Sequence, residues 1–499
     1  RYGSLDALNE RWSTSYWSQA YSDWKQIPIP VGPHNPGLML EFKHFITESY
    51  RRFQRLQVDI LRPCLREGVW ITHNFMRWFD GYDHYDMSED LDIASWDWYV
   101  GTGHHDYLSS GVLHDLVRGY KNKNFWLIET QPGSINWKPI NTTLDRGEAR
   151  AMAWHAVAHG ADAILYWQWR SALGGQEQYH GTLVDQSGRP RPFYEDAQQL
   201  GREFAAASSV LADSEVKAQV AMLHDYDSLW SIKWQTHHRD FSYERYFTDL
   251  YRPLARLNAP VDVLSAKGLT KIEQLAGYRL VIAPALLIQS QRAAETLQKY
   301  VSRGGHLVLT ARCGMKDPYN ALLPQRPPGA LREIAGVEVE EYYALEEPVP
   351  IVATWFEGYS NLWAERLALI GKKDARVIAR YRRSNGWLDD QIAISVNGFD
   401  RGLVYYLGAY LDESAQQDFF TRVLKTAKVT TINTPADIEI CTRVKPGGKE
   451  ITYIVINHAS AECKISMPWA SFDHLKGVPL AADFYLPAYG VAVLSPAKT

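Results

Sequence analysis

A short apolar run, Phe125-Trp126-Leu127-Ile128, ends on Glu129, breaks at Pro132-Gly133, and is followed by Asn136 and Trp137. Its length and composition are those of a buried strand. In a parallel barrel, a polar residue at the carboxyl end of a strand points into the active site. A carboxylate placed there can act as the nucleophile in glycoside hydrolysis, and an indole beside it can stack on a sugar ring. The competing reading is a strand-end acid that caps the next helix.

Two further stretches have the same character. Glu177 and His180 stand three apart in the Gly-rich loop Gly174–Gly181, directly after a strand ending Tyr166-Trp167-Gln168-Trp169. Such a pair suits sugar hydroxyls, the Glu accepting and the His donating. The same spacing occurs as a metal pair in helix bundles, but this loop carries no further ligands, so no metal is expected. A solvated loop is the alternative. In Ser95-Trp96-Asp97-Trp98-Tyr99 the tyrosine can hold a nucleophilic carboxylate by hydrogen bond, and Asp97 can be a second acid. The alternative is a core Trp beside an N-capping Asp. His73-Asn74 ends an earlier strand and takes the same topological position.

Two other features look chemical and are read as structural. Asn9-Glu10 matches the general-acid pair of many barrel glycosidases, but it lies in a helical pattern, Leu5–Trp12, with no strand before it. Cys313 follows a strand, His306–Thr310, at the place of a nucleophile elbow, yet no His–Glu pair follows.

The elements that must position these residues alternate. A long amphipathic helix over 39–64 precedes strands at Val69–Phe75, Leu91–Trp96, Phe125–Glu129 and Ala161–Trp169, with helices near Tyr107–Tyr120, Arg146–Gly160 and Pro192–Ala207. Strand–helix alternation predicts a parallel sheet with helices outside. Four such units do not close a barrel of eight. Over 209–430 a second, doubly wound α/β unit is expected, with strands at 220–223, 261–264, 280–283, 306–309 and 403–408 and an irregular stretch over 314–400. It carries neither G-x-G-x-x-G nor a P-loop, so no nucleotide and no cofactor is expected. Period-two alternation over 431–499, with a turn at Pro446-Gly447-Gly448, predicts a small β-sandwich.

Composition narrows the classes. The 499 residues are too many for one core. A net charge of -4 leaves no basic surface for nucleic acid. No run of about 18 apolar residues exists, so no membrane span is expected. Aromatic content is high, with 18 Trp and 29 Tyr, which suits carbohydrate clefts as well as large cores. Four dispersed cysteines make no C-x-x-C pair and fit a reducing, cytoplasmic compartment.

In four stretches the chain resembles glycoside hydrolase family 42, the β-galactosidases: Arg1–Asn9, Thr72–Met76, Ile128–Gly133 with Asn136-Trp137, and Glu177–Gly181. The resemblance runs in order along the whole chain. It implies that residues 1–208 are the C-terminal half, strands 5–8, of a (β/α)8 barrel. Residues 209–430 would be an amidotransferase-like, flavodoxin-like domain that mediates trimerisation, and 431–499 a small β domain. It further implies retaining hydrolysis of terminal β-D-galactosides, with Glu129 as nucleophile and Trp137, Glu177, His180, Tyr99 and Asn74 around the sugar. The family's acid/base Glu, in an Asn-Glu-Tyr motif, has no match here, so the resemblance implies an N-terminally truncated chain with that acid upstream. The alternatives are an α-L-arabinopyranosidase or β-D-fucosidase, or a non-catalytic carbohydrate-binding or assembly protein.

Overall fold

The computed structural model describes residues 1–370, 374–448 and 450–497. Its first sheet is four-stranded and wholly parallel, in the order β1 (Asn74–Met76), β2 (Ser95–Trp98), β3 (Phe125–Thr130) and β4 (Ala161–Tyr166). Phe125 and Leu127 of β3 are fully buried, as is Trp96 of β2. The helices are α1 (Leu5–Arg11), α2 (Pro36–Leu61), α3 (His84–Ser88), α4 (Tyr107–Lys121), α5 (Glu148–Ala158) and α6 (Phe193–Leu211).

Two local expectations need correction. The strand read over Val69–Phe75 is only three residues long. Residues before it are tied to the next segment by isolated bonds, Asp92 N–H to Ile71 O, Ile71 N–H to Asp92 Oδ2 and Thr72 Oγ1 to Ile93 O, so no regular ladder forms. Of the apolar stripe expected along α2, Leu40, Phe42, Phe45, Tyr50, Phe53, Leu56 and Ile60, only Leu40 is buried. Phe45, Tyr50, Phe53, Leu56 and Ile60 are exposed, whereas Leu40, Thr47, Gln54 and Val58 face the protein. The polar members of that inner face have fixed partners: Thr47 Oγ1 accepts from Asp83 N–H, and Gln54 Nε2 donates to Met87 O.

The second sheet begins with Val261–Ser265, Val220–His224, Leu280–Ala283, His306–Thr310 and Gly402–Leu407, all parallel neighbours in that order. In chain order this is 2-1-3-4-5, the flavodoxin-like arrangement. The stretch 314–400, expected to be irregular, instead contributes antiparallel strands at Val337–Ala344, Val349–Ala353, Glu357–Leu369, Arg376–Tyr381 and Ile392–Phe399 that extend the same sheet. Their bulges interrupt the period-two pattern that would have revealed them.

In the C-terminal region Ile438–Val444 and Ile451–Asn457 pair antiparallel and join Val491–Pro496, with a separate two-stranded pair packed against them. Ile440, Val455, Ile465, Met467 and Leu486 fill the space between. The fold is therefore α/β with a small β region at its end. Gly119 on α4 meets the second sheet so closely that a Cβ there would lie 1.8 Å from Val263 O. Beside it Arg118 donates to Asp262 Oδ1 at 3.0 Å and also reaches Asp115 and the carbonyls of His159 and Val261. All four cysteines are free. No helix among the described residues is long and apolar enough to cross a membrane.

Candidate active site

Glu129 ends β3 beside Asp97 of β2, the two in register on neighbouring parallel strands. The parallel ladder aims both carboxylates at the carboxyl edge of the sheet. Asn74, at the start of β1, bridges them: its Nδ2 donates to Asp97 Oδ2 at 3.0 Å and lies 3.3 Å from Glu129 Oε1. The other oxygen, Glu129 Oε2, accepts from the Tyr99 phenol at 2.9 Å. Burial, reinforced by the Glu129 charge, pushes the Tyr99 phenol far above its ordinary range. The phenol thus stays protonated and donates at any working pH. Burial, and then the Glu129 charge, pushes Asp97 up to about 7.

Around this carboxylate the aromatic and polar residues of the following loops close a ring. Trp137 meets Tyr99 edge-on at 5.0 Å and stacks on His180 at 5.3 Å with an 18° tilt. Trp137 is half-exposed, at 49%, so one face of the indole is free for a ligand. Glu177 Oε2 accepts from Trp167 Nε1 at 2.8 Å. Gln131, fully buried, fixes the turn after β3 by accepting from Val100 N–H at 2.6 Å and donating to Gly133 O at 2.8 Å.

His180 lies fully buried behind the Trp137 indole. Its Nε2 lies 2.9 Å from the carbonyl of Trp167, so Nε2 carries the proton and donates there. Burial holds the ring's pKa below its ordinary value, which keeps it neutral. Nδ1 is then an acceptor, and it is buried with no partner. Sequence reasoning expected His180 to donate to a sugar hydroxyl; in the folded chain the ring is fully buried and its Nε2 proton is committed to Trp167 O.

The structure brings together Asn74, Tyr99, Glu129, Trp137, Glu177 and His180, and adds Trp167 and Gln131, which sequence reasoning missed. The signal for Trp167 was present in its place at the end of β4. Glu10 lies elsewhere, exposed on α1, whose start is capped by Ser4. Cys313 is buried, its thiol pushed up to about 12 by desolvation and donating to Ala283 O, so it is inert.

A carboxylate at a parallel strand end, held by a phenol and an amide and ringed by indoles, can serve as a glycosidase nucleophile. Comparison with known proteins gives the family. Residues 1–207 match the family 42 glycosyl hydrolase model described as β-galactosidase, and residues 218–430 match the β-galactosidase trimerisation domain. The β-galactosidase BglY of Alicyclobacillus acidocaldarius is 31% identical over 99% of this chain and 73% of its own length.

The chain belongs to glycoside hydrolase family 42.

Solved structures resemble it in shape as well. The crystal structure of β-galactosidase from Bacillus circulans sp. alkalophilus superposes with a TM-score of 0.93 at 26% identity, covering 100% of this chain and 75% of that one. The β-galactosidase Bga of Halorubrum lacusprofundi is 37% identical over 69% of this chain, and the match spans 51% of that protein. The chain thus spans about half to three quarters of the family 42 proteins it matches.

Proposed function

We propose that the chain provides the nucleophile and most of the sugar-holding residues for retaining hydrolysis of terminal β-D-galactosides. Glu129 attacks the anomeric carbon and forms a galactosyl-enzyme, which water then cleaves. Tyr99 and Asn74 orient the carboxylate and neutralise part of its charge without protonating it. Trp137 offers an apolar face to the sugar ring. Glu177, fixed by Trp167, accepts from a sugar hydroxyl, and His180, stacked on Trp137, holds that indole in place.

The single observation that carries this reading is the pair of hydrogen bonds that fixes Glu129 at the end of β3. The reaction also needs a second carboxylic acid about 5–5.5 Å from the nucleophile, with room for the glycosidic oxygen between them. Asp97 does not meet that need. It shares the Asn74 amide with Glu129, and its Oδ1 is sealed from solvent. The acid–base role is therefore assigned to none of these residues.

The test uses a 2-fluoro-β-galactoside with a dinitrophenolate leaving group, which departs without protonation. Peptide mass spectrometry should place the sugar on Glu129. A label on Asp97 or Glu177 would overturn the assignment. The same reading extends to residues 209–430 as the surface through which the protein forms a homotrimer.

A further inference from the structure

The two loops that carry the sugar-holding side chains differ in how they are anchored. After β3, the fully buried Gln131 holds Gly133 O, and Ile135 is buried, so Asn136 and Trp137 follow a fixed turn. The loop after β4 has no such core. Its tip, residues 173–179, forms neither helix nor strand and includes Gly174-Gly175. Leu173 and Tyr179 are 84% and 82% exposed, so apolar packing does not hold the tip in place.

Glu177 lies in this tip, and hydrogen bonds must place it. Two of them are local, from Gln178 N–H to Gly175 O and from His180 N–H to Glu177 O. Among the described residues, two others tie the tip to the rest of the chain. Trp167 Nε1 donates to the Glu177 carboxylate, and Asn136 Nδ2 donates to Gln176 O. The first bond holds one carboxylate oxygen, and the second holds the backbone one residue before Glu177.

Beyond Glu177 the two loops touch again. Gly181 N–H donates to Ser134 O at 2.6 Å, and a Cβ on Gly181 would lie 2.7 Å from Ser134 N and O, so the two backbones are in contact. His180 stacks on Trp137 beside this crossing. Glu177 is thus held between two staples. Going back along the chain from Gln176, the next backbone anchor is Ser171, whose N–H donates to Val184 O at 3.2 Å.

We propose that Asn136 is a positioning residue for the glycosidase reaction. By donating to Gln176 O it sets the separation between the Trp137 indole and the Glu177 carboxylate, and with it the fit of the sugar that both hold. The proposal rests on the reading of Trp137 and Glu177 as sugar contacts. It gives Asn136 a part other than touching the sugar itself. A side-chain amide suits this part, because it donates to a carbonyl without placing a charge beside Glu177. Asn136 also adjoins Trp137 in the chain, so one short segment fixes the indole and the opposing acceptor together.

The test is titration calorimetry of the full chain with isopropyl 1-thio-β-D-galactoside, a galactoside that resists hydrolysis. N136A should bind roughly 3- to 10-fold more weakly, as expected for the loss of one neutral hydrogen bond. N136D keeps an acceptor of the same size but loses the donor to Gln176 O, so it should bind at least as weakly as N136A. In the E177A background, adding N136A should change affinity by less than about twofold, because its effect passes through Glu177. Equal losses from N136A with and without Glu177, or wild-type affinity in N136D, would overturn the proposal. Wild-type affinity in E177A, or no binding by the wild-type chain, would instead overturn the sugar-site reading and the proposal with it. Amide hydrogen exchange without ligand gives a second measurement. N136A should speed exchange at Gln178 and His180 and leave β3 unchanged. Unchanged exchange at both amides, or faster exchange in β3 as well, would also count against a positioning role.

Discussion

Asp97 and Glu129 sit in register on adjacent parallel strands and share one amide nitrogen, Asn74 Nδ2, at 3.0 and 3.3 Å. Burial and the neighbouring Glu129 charge raise Asp97 to about 7. An unfolded Asp titrates near about 3.9, so between these values the folded chain holds a proton that the unfolded chain has lost. This contribution to stability is complete below about pH 4 and disappears as pH rises through about 7. Asp97→Asn should therefore flatten the fall in stability between pH 4 and 7, measured by urea denaturation at several pH values. A variant with the same pH dependence as the wild-type chain would show that Asp97 titrates normally.

Tyr99→Phe removes the phenol that donates to Glu129 Oε2 while leaving the ring that packs against Trp137. A hydrogen bond to a charged group is worth about 1.5–3 kcal/mol, or roughly 10- to 150-fold in rate if it is formed fully in the transition state. The trapping rate with the fluorinated galactoside should fall within that range. Glu10→Gln, on the exposed face of α1, should leave the rate unchanged. A loss on changing Glu10 would place it at the sugar site, away from the exposed face of α1.

Glu177→Ala and His180→Ala should each weaken binding of galactose or a galactose-like inhibitor, by about 1–3 kcal/mol, because the first removes an acceptor for a sugar hydroxyl and the second the ring on which Trp137 stacks. Calorimetry with the inhibitor reads both. Wild-type affinity in both variants would place them outside the sugar site.

Helix-interior Gly→Ala changes ordinarily stabilise by up to about 1 kcal/mol. Gly119→Ala should do the reverse, because the added methyl would meet Val263 O on the second sheet. Overpacking of this kind costs typically about 1–3 kcal/mol. A lowered melting temperature is the expected result, and a raised one would mean that the α4 contact with the second sheet yields readily.

Light scattering should give three times the 57.0 kDa chain mass at ~micromolar concentration, through residues 209–430. A monomer under those conditions would remove assembly from the roles of the doubly wound region.

The positions of Glu129, Tyr99 and the Glu177–His180 pair were legible in the sequence, because strand ends and Gly-rich loops are written in local runs of residue type. The 2-1-3-4-5 core of the second sheet was legible for the same reason: its strands are short, apolar and separated by helices. The bulged antiparallel strands over 337–399 were not, since their pattern is set by partners far away in the chain. Only the tertiary structure decided that Asn74, Asp97 and Glu129 share a donor, because three separate strands must align before one amide reaches two carboxylates. It alone assigned the His180 proton, which depends on where Trp167 O lies. It alone joined Asn136 to Gln176, because that carbonyl lies on a loop from the neighbouring strand and no local pattern of residue types marks it.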